Sequence, residues 1–211
     1  MVRMPDVVFR HPFLTQDEQR RIVEIVTTIH PGFYVPRTRW GQAMRLQMLC
    51  LGRHWSARDY KYHPVRKDVD GLPCPPIPEE LQALARQALI ETQYLPSREI
   101  RPFDTCIVNR YALADGGRLG DHIDNSEGAE AIASGYPVVS LSVGASCIFR
   151  IGGTRRTDPF QRHTLASGDL VIFGRSMRLA YHGVSKLRPD TTPAGLGLEP
   201  DTRLNLTFRV L

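Results

Sequence analysis

Hydrophobic positions change their spacing along this chain, and the changes divide it into distinct textures. Ile22, Ile25, Val26 and Ile29 recur at helical spacing behind Thr15-Gln16-Asp17-Glu18. That tetrapeptide has the form of a capping box, in which hydroxyl and carboxylate each satisfy an otherwise unpaired amide. Pro31-Gly32 closes the run, which predicts a helix covering one face of a sheet. From Ala43 to Leu49 the pattern becomes alternation, Met44, Leu46 and Met48 against Arg45 and Gln47, as in a half-buried strand. Asp70 to Pro78 holds four prolines and Gly71 and reads as an extended linker. A second helix starts near Pro78, with Leu81, Leu84, Ala85, Ala88 and Leu89 on one face.

After Pro102 the texture is almost entirely β. Short runs recur at Phe103–Tyr111, Gly120–Asp124, Pro137–Val143, Cys147–Ile151, His163–Ala166, Leu170–Phe173, Leu179–Val184 and Arg203–Val210. Gly152-Gly153 and Ser167-Gly168-Asp169 punctuate them as tight connections. Eight short strands in about 110 residues predict a double-sheet jelly roll or a similar barrel. The expected architecture is mainly β with flanking helices, as a single domain over 1–211. Residues 101–211 form its core, and residues 1–100 an N-terminal extension carrying a hairpin over about 36–67.

Composition narrows the setting. The 211 residues are 42% hydrophobic and 23% charged, as in an ordinary soluble domain. Cys50, Cys74, Cys106 and Cys147 are widely spaced and form no C-x-x-C pair, so free thiols are expected and a zinc ribbon is not. No apolar run approaches ~20 residues, so no membrane span is expected. Met1 to Asp6 has no signal-peptide core behind it, which makes a cytoplasmic location the expectation. The net charge of +5 is unevenly placed. Between Pro36 and Lys67, Arg37, Arg39, Arg45, Arg53, Arg58, Lys61, Arg66 and Lys67 face Asp59 alone, so that segment carries +7 and the remainder −2. Cations interleaved with Trp55, Tyr60 and Tyr62 suit a nucleic-acid strand, whose bases stack while its phosphates are neutralised. A hairpin with its aromatics on the core and its charges in water would read the same way.

Gly120-Asp121-His122-Ile123-Asp124 introduces the candidate chemistry. In an extended segment side chains two apart share a face, so His122 and Asp124 project together. Imidazole beside carboxylate supplies two of the three ligands of a non-haem iron(II) site, although a solvated polar turn looks alike. His182, in Leu179-Ala180-Tyr181-His182-Gly183-Val184, offers the third ligand, with a core histidine as its plain alternative. The last strand alternates without a break, Leu204, Leu206 and Phe208 on one face and Arg203, Asn205, Thr207 and Arg209 on the other. That polar face could lie in water, or it could receive carboxylates, which guanidinium groups bind bidentately. Asn109 and Tyr111 share a face in the same way. A small dicarboxylate held by arginine at its far end and chelating iron at its near end describes 2-oxoglutarate.

Together, Ile107-Val108-Asn109-Arg110-Tyr111, His122-x-Asp124, Tyr181-His182-Gly183 and Arg203-x-Asn205-Leu206-Thr207-Phe208-Arg209 resemble the AlkB family of iron(II)- and 2-oxoglutarate-dependent dioxygenases. Ser140-Leu141-Ser142-Val143-Gly144 and Gly152-Gly153 fit as well, and the match runs from roughly Phe103 to Leu211. The resemblance implies a double-stranded β-helix (jelly roll) with an N-terminal helix-and-hairpin nucleotide-recognition lid. It implies catalytic metal ligands His122, Asp124 and His182. It also implies that Asn109, Tyr111, Arg203 and Asn205 hold the co-substrate, while Arg209 orients Asp124 near its chelating end. In the lid, Tyr60 and Tyr62 match a Tyr-x-Tyr-x-Pro pattern. Trp55 resembles the aromatic that stacks on the base, with His54 as the alternative, and Arg156 resembles the arginine lining the base pocket. Ser126 stands where the founding bacterial member has an acid that reads the base's exocyclic amine, and Glu127 lies next to it.

The implied activity is oxidative demethylation of N-alkylated nucleobases, such as 1-methyladenine and 3-methylcytosine. It would use Fe(II), 2-oxoglutarate and dioxygen and release formaldehyde, succinate and carbon dioxide. The implied partner is alkylated single- or double-stranded DNA, or RNA, met by a monomer, with the target base out of its stack. Two rivals stand beside it: an oxygenase of the same chemistry acting on RNA only or on a protein side chain, and a non-catalytic nucleic-acid-binding module. The complete triad and both arginines argue against the second, since binding alone needs neither.

Overall fold

The computed structural model describes residues 4–211. Strand β1 (Val7–Arg10) leads into helix α1 (Gln16–Thr28). The capping box forms: the Glu18 amide donates to Thr15 Oγ1 at 3.3 Å, and the Thr15 amide donates to Glu18 Oε2 at 2.8 Å. Next come β2 (Gln47–Leu51), β3 (His54–Ser56), β4 (Lys61–His63) and α2 (Glu79–Glu91), which follows Pro78. The rest of the chain supplies β5 (Thr105–Ala112), β6 (Leu119–His122), a short α3 (Ala129–Ala133), β7 (Val138–Gly144) and β8 (Cys147–Ile151). It ends with β9 (Gln161–Leu165), β10 (Leu170–Phe173), β11 (His182–Leu187) and β12 (Thr202–Arg209).

Two antiparallel sheets face each other as a jelly roll. The major sheet runs β1-β10-β7-β12-β5-β2 and the minor sheet β6-β11-β8-β9, while β3 and β4 form a separate hairpin. Helices α1 and α2 cover the major sheet's outer face, where Ile22, Val26, Leu81 and Leu89 pack with Leu49, Val108, Leu204 and Leu206. Each such side chain, once buried, contributes roughly 1.5–3 kcal/mol. The inner face meets the minor sheet through Met48, Cys50, Ile107, Phe149 and Phe173.

β12 lies near the middle of the major sheet, paired on one side with β5 and on the other with β7. Its alternation sorts side chains by layer. Leu204, Leu206 and Phe208 join the core beneath the helices, whereas Arg203, Asn205, Thr207 and Arg209 are buried on the opposite, inward face. That burial removes the solvated-surface alternative for this strand.

Several placements differ from the sequence expectation. β2 begins at Gln47 rather than Ala43, and Met48 to Leu51 are all buried because the strand joins the major sheet with cover on both faces. β6 stops at His122, which leaves Asp124 in the following loop, and β11 begins at His182 rather than Leu179. β1 was not expected; it closes the major sheet against β10. The first hundred residues therefore lend two strands to the sheet that the later residues build. Arg66 does not belong to the exposed basic set: it is 3% exposed, pairs with Asp70 and donates to the carbonyls of Pro31 and Gly32. All four cysteines are free. Among the described residues, no helix is long and apolar enough to cross a membrane.

Candidate active site

The metal-ligand candidates converge at the end of the minor sheet. His122 and His182 stand opposite one another in the β6–β11 register, and Asp124 returns to them from the loop beyond β6. Ligand atoms of the three lie within 4.8 Å of one another. His122 Nε2 is 3.7 Å from Asp124 Oδ1, and His182 Nε2 is 3.8 Å from Asp124 Oδ2. Each ring is oriented locally: His122 Nδ1 donates to the Gly120 carbonyl and His182 Nδ1 to the Ala180 carbonyl, both at 2.9 Å. Placing the proton on Nδ1 leaves each Nε2 lone pair free for a metal.

Electrostatics hold the ligands in binding form. Burial, then the nearby His122, lower the His182 pKa to about 4, so its ring is neutral near pH 7. Burial would raise the Asp124 carboxyl, but Arg209, the two histidines and Arg178 outweigh it and hold it well below the usual carboxylate range. Arg209 Nε and Nη2 both donate to Asp124 Oδ2, at 2.9 and 2.7 Å. Arg178 Nη1 fixes the loop by donating to the Asp124 carbonyl at 2.8 Å.

Beside the triad, the polar row of β12 is bonded mainly to its own sheet. Arg203 Nη2 donates to Ser142 Oγ at 2.8 Å, and Asn205 Nδ2 donates to Ser140 Oγ at 2.8 Å. Tyr111 stands opposite Arg203 and Asn109 opposite Asn205 in the β5–β12 register. Two polar atoms remain buried without partners, Arg203 Nε and Asn109 Oδ1.

The triad opens into a cavity of about 420 Å³ whose far wall is the β3–β4 hairpin. Trp55, Tyr60, Tyr62, Ser126 and Arg156 all line it, together with Asn109, His122, Asp124 and Arg209. Tyr111, His182, Arg203 and Asn205 do not; they lie buried behind the wall. His54 is also absent from it, being fully buried against Asp68 and the Tyr34 ring, so the aromatic that faces the cavity is Trp55. Trp55 Nε1 donates to Ser126 Oγ at 3.0 Å, and the Tyr62 hydroxyl donates to Glu127 Oε1 at 3.0 Å. The hairpin is thus bonded to the loop that carries Asp124. A larger depression of about 700 Å³ beside α1 is lined by Asp17, Arg20, Arg21 and Glu24 and holds none of these groups.

A family model described as the 2OG-Fe(II) oxygenase superfamily matches residues 6–209. The chain belongs to this superfamily. Among its relatives, the DNA N(6)-methyladenine demethylase ALKBH1D of Arabidopsis thaliana is 40% identical over 97% of this chain. The alpha-ketoglutarate-dependent dioxygenase AlkB of Salmonella typhimurium is 36% identical over 82% of it. The chain spans about half the length of the Arabidopsis protein (49%) and 74% of the Salmonella one. The solved structure of OsALKBH1 superposes with a TM-score of 0.87 at 34% identity, covering 100% of this chain and 99% of that one.

The site fits the group that this superfamily carries. Two imidazoles and one carboxylate are the donor set of a non-haem iron(II) oxygenase. The unpartnered Nε of buried Arg203 is a cationic donor that a carboxylate would satisfy, and leaving such a group unpaired costs about 1–3 kcal/mol. His122, Asp124 and His182 would therefore hold Fe(II), and Arg203 a carboxylate of 2-oxoglutarate. Sequence reasoning undervalued Glu127. Its side chain is buried, reaches Arg178 at 3.1 Å and Arg209 at 3.3 Å, and lines the cavity. Its adjacency to Ser126 is the one signal the sequence offers. Arg178 and the apolar cavity residue Met44 belong to no motif in the sequence.

Proposed function

We propose that this protein is a dioxygenase that oxidatively demethylates N-alkylated nucleobases in DNA. One observation carries the reading: the ligands His122 and Asp124, with His182 directly behind them, and the hairpin residues Trp55, Tyr60 and Tyr62 border the same 420 Å³ cavity. A chamber with ligands on one wall and aromatics on the other suits a flat base presented edge-on to a metal. The names of its relatives, a DNA demethylase and AlkB, support the same reading.

When bound, Fe(II) and 2-oxoglutarate supply dioxygen-driven oxidation of a C–H bond, here that of the N-methyl group. The chain's own residues prepare that step. Arg209 keeps Asp124 deprotonated and aimed, and the Gly120 and Ala180 carbonyls keep both imidazoles in the ligating tautomer. Arg203 would hold a carboxylate of the co-substrate, with Asn109, Tyr111 and Asn205 beside it. Trp55 and Tyr62 clamp the base, and Arg156 stands at the rim. Burial of the target atom requires the base to leave its stack. The free thiols suit a reducing, cytoplasmic setting, and the chain acts as a monomer in this reading.

The lesion is the finer question. 1-Methyladenine and 3-methylcytosine are the expectation from the motif resemblance. N(6)-methyladenine is a second reading, favoured by the name of the Arabidopsis relative, whose match covers 97% of this chain. The test incubates the protein with Fe(II) and 2-oxoglutarate on DNA and RNA oligonucleotides carrying each lesion and identifies product bases by mass spectrometry. Conversion of at least one lesion with equimolar succinate is expected. Succinate without any restored base would overturn the nucleobase reading in favour of another substrate, such as a protein side chain. Strand binding without succinate or restored base would leave a non-catalytic nucleic-acid-binding module.

A further inference from the structure

The outer face of the minor sheet carries charge that the catalytic reading leaves unused. Arg150 on β8 stands directly opposite Arg162 on β9. Lys186 lies on β11 opposite Ile148, and Arg188 follows just beyond the strand's end. These four cations line an open depression of about 570 Å³ whose wall contains no carboxylate. Arg150 alone has an acidic partner, Asp121 at 3.1 Å. Arg162, Lys186 and Arg188 have no ion pair among the described residues. Like charges placed directly opposite on an antiparallel sheet destabilise it. A bare face of this kind costs stability, which an anion lying across it restores.

This face is continuous with the active site. Asp121 precedes His122 and also lines the catalytic cavity. Gly183 sits between Asp121 and Arg150 in the strand order; a Cβ there would lie 3.0 Å from Asp121 Oδ1 and 2.7 Å from the Leu119 carbonyl. The missing side chain is what lets Arg150 reach Asp121 across β11. From β6 to β9 the sheet steps three times by about 4.8 Å, about 14 Å in all, the axial rise of roughly four nucleotides at about 3.4 Å each.

We propose that this face is a second nucleic-acid contact, a phosphate track for the strand flanking the base delivered to the cavity. The inference rests on the nucleobase reading above. It commits to a phosphodiester backbone because the four cations adjoin the base cavity through the Arg150–Asp121 pair, Asp121 being part of the cavity wall.

The experiment compares the wild-type chain with the triple variant R162Q/K186Q/R188Q, leaving Arg150 in place beside Asp121. Fluorescence anisotropy with a methylated 21-nucleotide DNA across a salt series gives the slope of log Kd against log salt. Turnover is measured on the same strand and on a methylated trinucleotide too short to reach the track. Each neutralised phosphate contributes about 0.7–0.9 to the slope, so the triple variant should lower it by about two to three. The KM for the long strand should rise roughly tenfold or more, with trinucleotide kinetics unchanged. Trinucleotide turnover is also the control for folding. Should the triple variant lose it, the single variants decide, each expected to lower the slope by about one. An unchanged slope and KM, in a wild-type protein that converts both substrates, would overturn the track and leave the demethylase reading standing. A wild-type protein that neither binds nor converts methylated DNA would overturn both.

Discussion

The inward face of β12 and the β3–β4 hairpin stand at opposite sides of one site, yet they are built by different means. Arg203, Asn205, Thr207 and Arg209 are each at most 9% exposed on a strand bonded along both edges. Trp55 and Tyr62 ride on a two-stranded hairpin, with Tyr60 at 45% exposure, and reach across to Ser126 and Glu127 through two side-chain hydrogen bonds. A two-stranded hairpin alone is marginally stable. The inward face of β12 therefore cannot move without disturbing the core, whereas the hairpin can change at little cost. On the proposed reading, altering which base is accepted need not touch how it is oxidised.

That division can be broken from either side. The largest effect is expected for Asp124→Ala, which removes the only carboxylate of the triad and strips Arg209 of its main partner. Succinate formation should fall below detection, and retained turnover would remove Asp124 from the metal site. Arg203→Ala removes a buried charged contact worth about 2–5 kcal/mol, so KM for 2-oxoglutarate should rise by roughly 30-fold or more. Oligonucleotide affinity should stay at the wild-type value; a parallel loss there would show that the two halves are coupled. Trp55→Ala should behave in the mirror sense. Base–aromatic stacking is worth about 1–3 kcal/mol, so methylated-strand affinity should drop about 5- to 150-fold with KM for 2-oxoglutarate unmoved. The smallest effect belongs to Ser126→Ala, which deletes one neutral hydrogen bond to the Trp55 indole and should weaken strand binding about 2- to 10-fold. Ser126→Asp sharpens the comparison further, since it should shift the ratio of 1-methyladenine to 3-methylcytosine turnover while succinate formed per base repaired stays constant. An unshifted ratio would show that position 126 does not read the base.

The sequence was most legible where one rule governs one element. The capping box placed α1, and unbroken alternation placed both faces of β12, because a strand flanked on each side has no freedom to slip its register. His122 and Asp124 were paired by assuming one extended segment, yet the strand ends at His122 and the loop beyond it, held by Arg178, delivers the carboxylate. The two side chains do converge, but for a partly different reason. Glu127 and Arg178 escaped because their burial depends on a partner far away in the chain, which local pattern does not encode. Arg66 was counted with the basic surface for the same reason: its carbonyl acceptors, Pro31 and Gly32, lie more than thirty residues upstream. Strand β1 escaped because Val7-Val8-Phe9-Arg10 is short and has no alternation to announce an edge position.

The place of β2 in the major sheet has a consequence for traffic through the cavity mouth. The basic segment 36–67 is not one flap, since its middle is a rung paired with β5 from Gln47–Arg110 to Leu51–Cys106. One arm, carrying Trp40 at 74% exposure, leaves the rung at its N-terminal end, and the β3–β4 hairpin leaves at the other. The two arms are thus attached at opposite ends of a strand held in the sheet. On the proposed reading, a base that passes one arm on its way to the cavity need not displace the other.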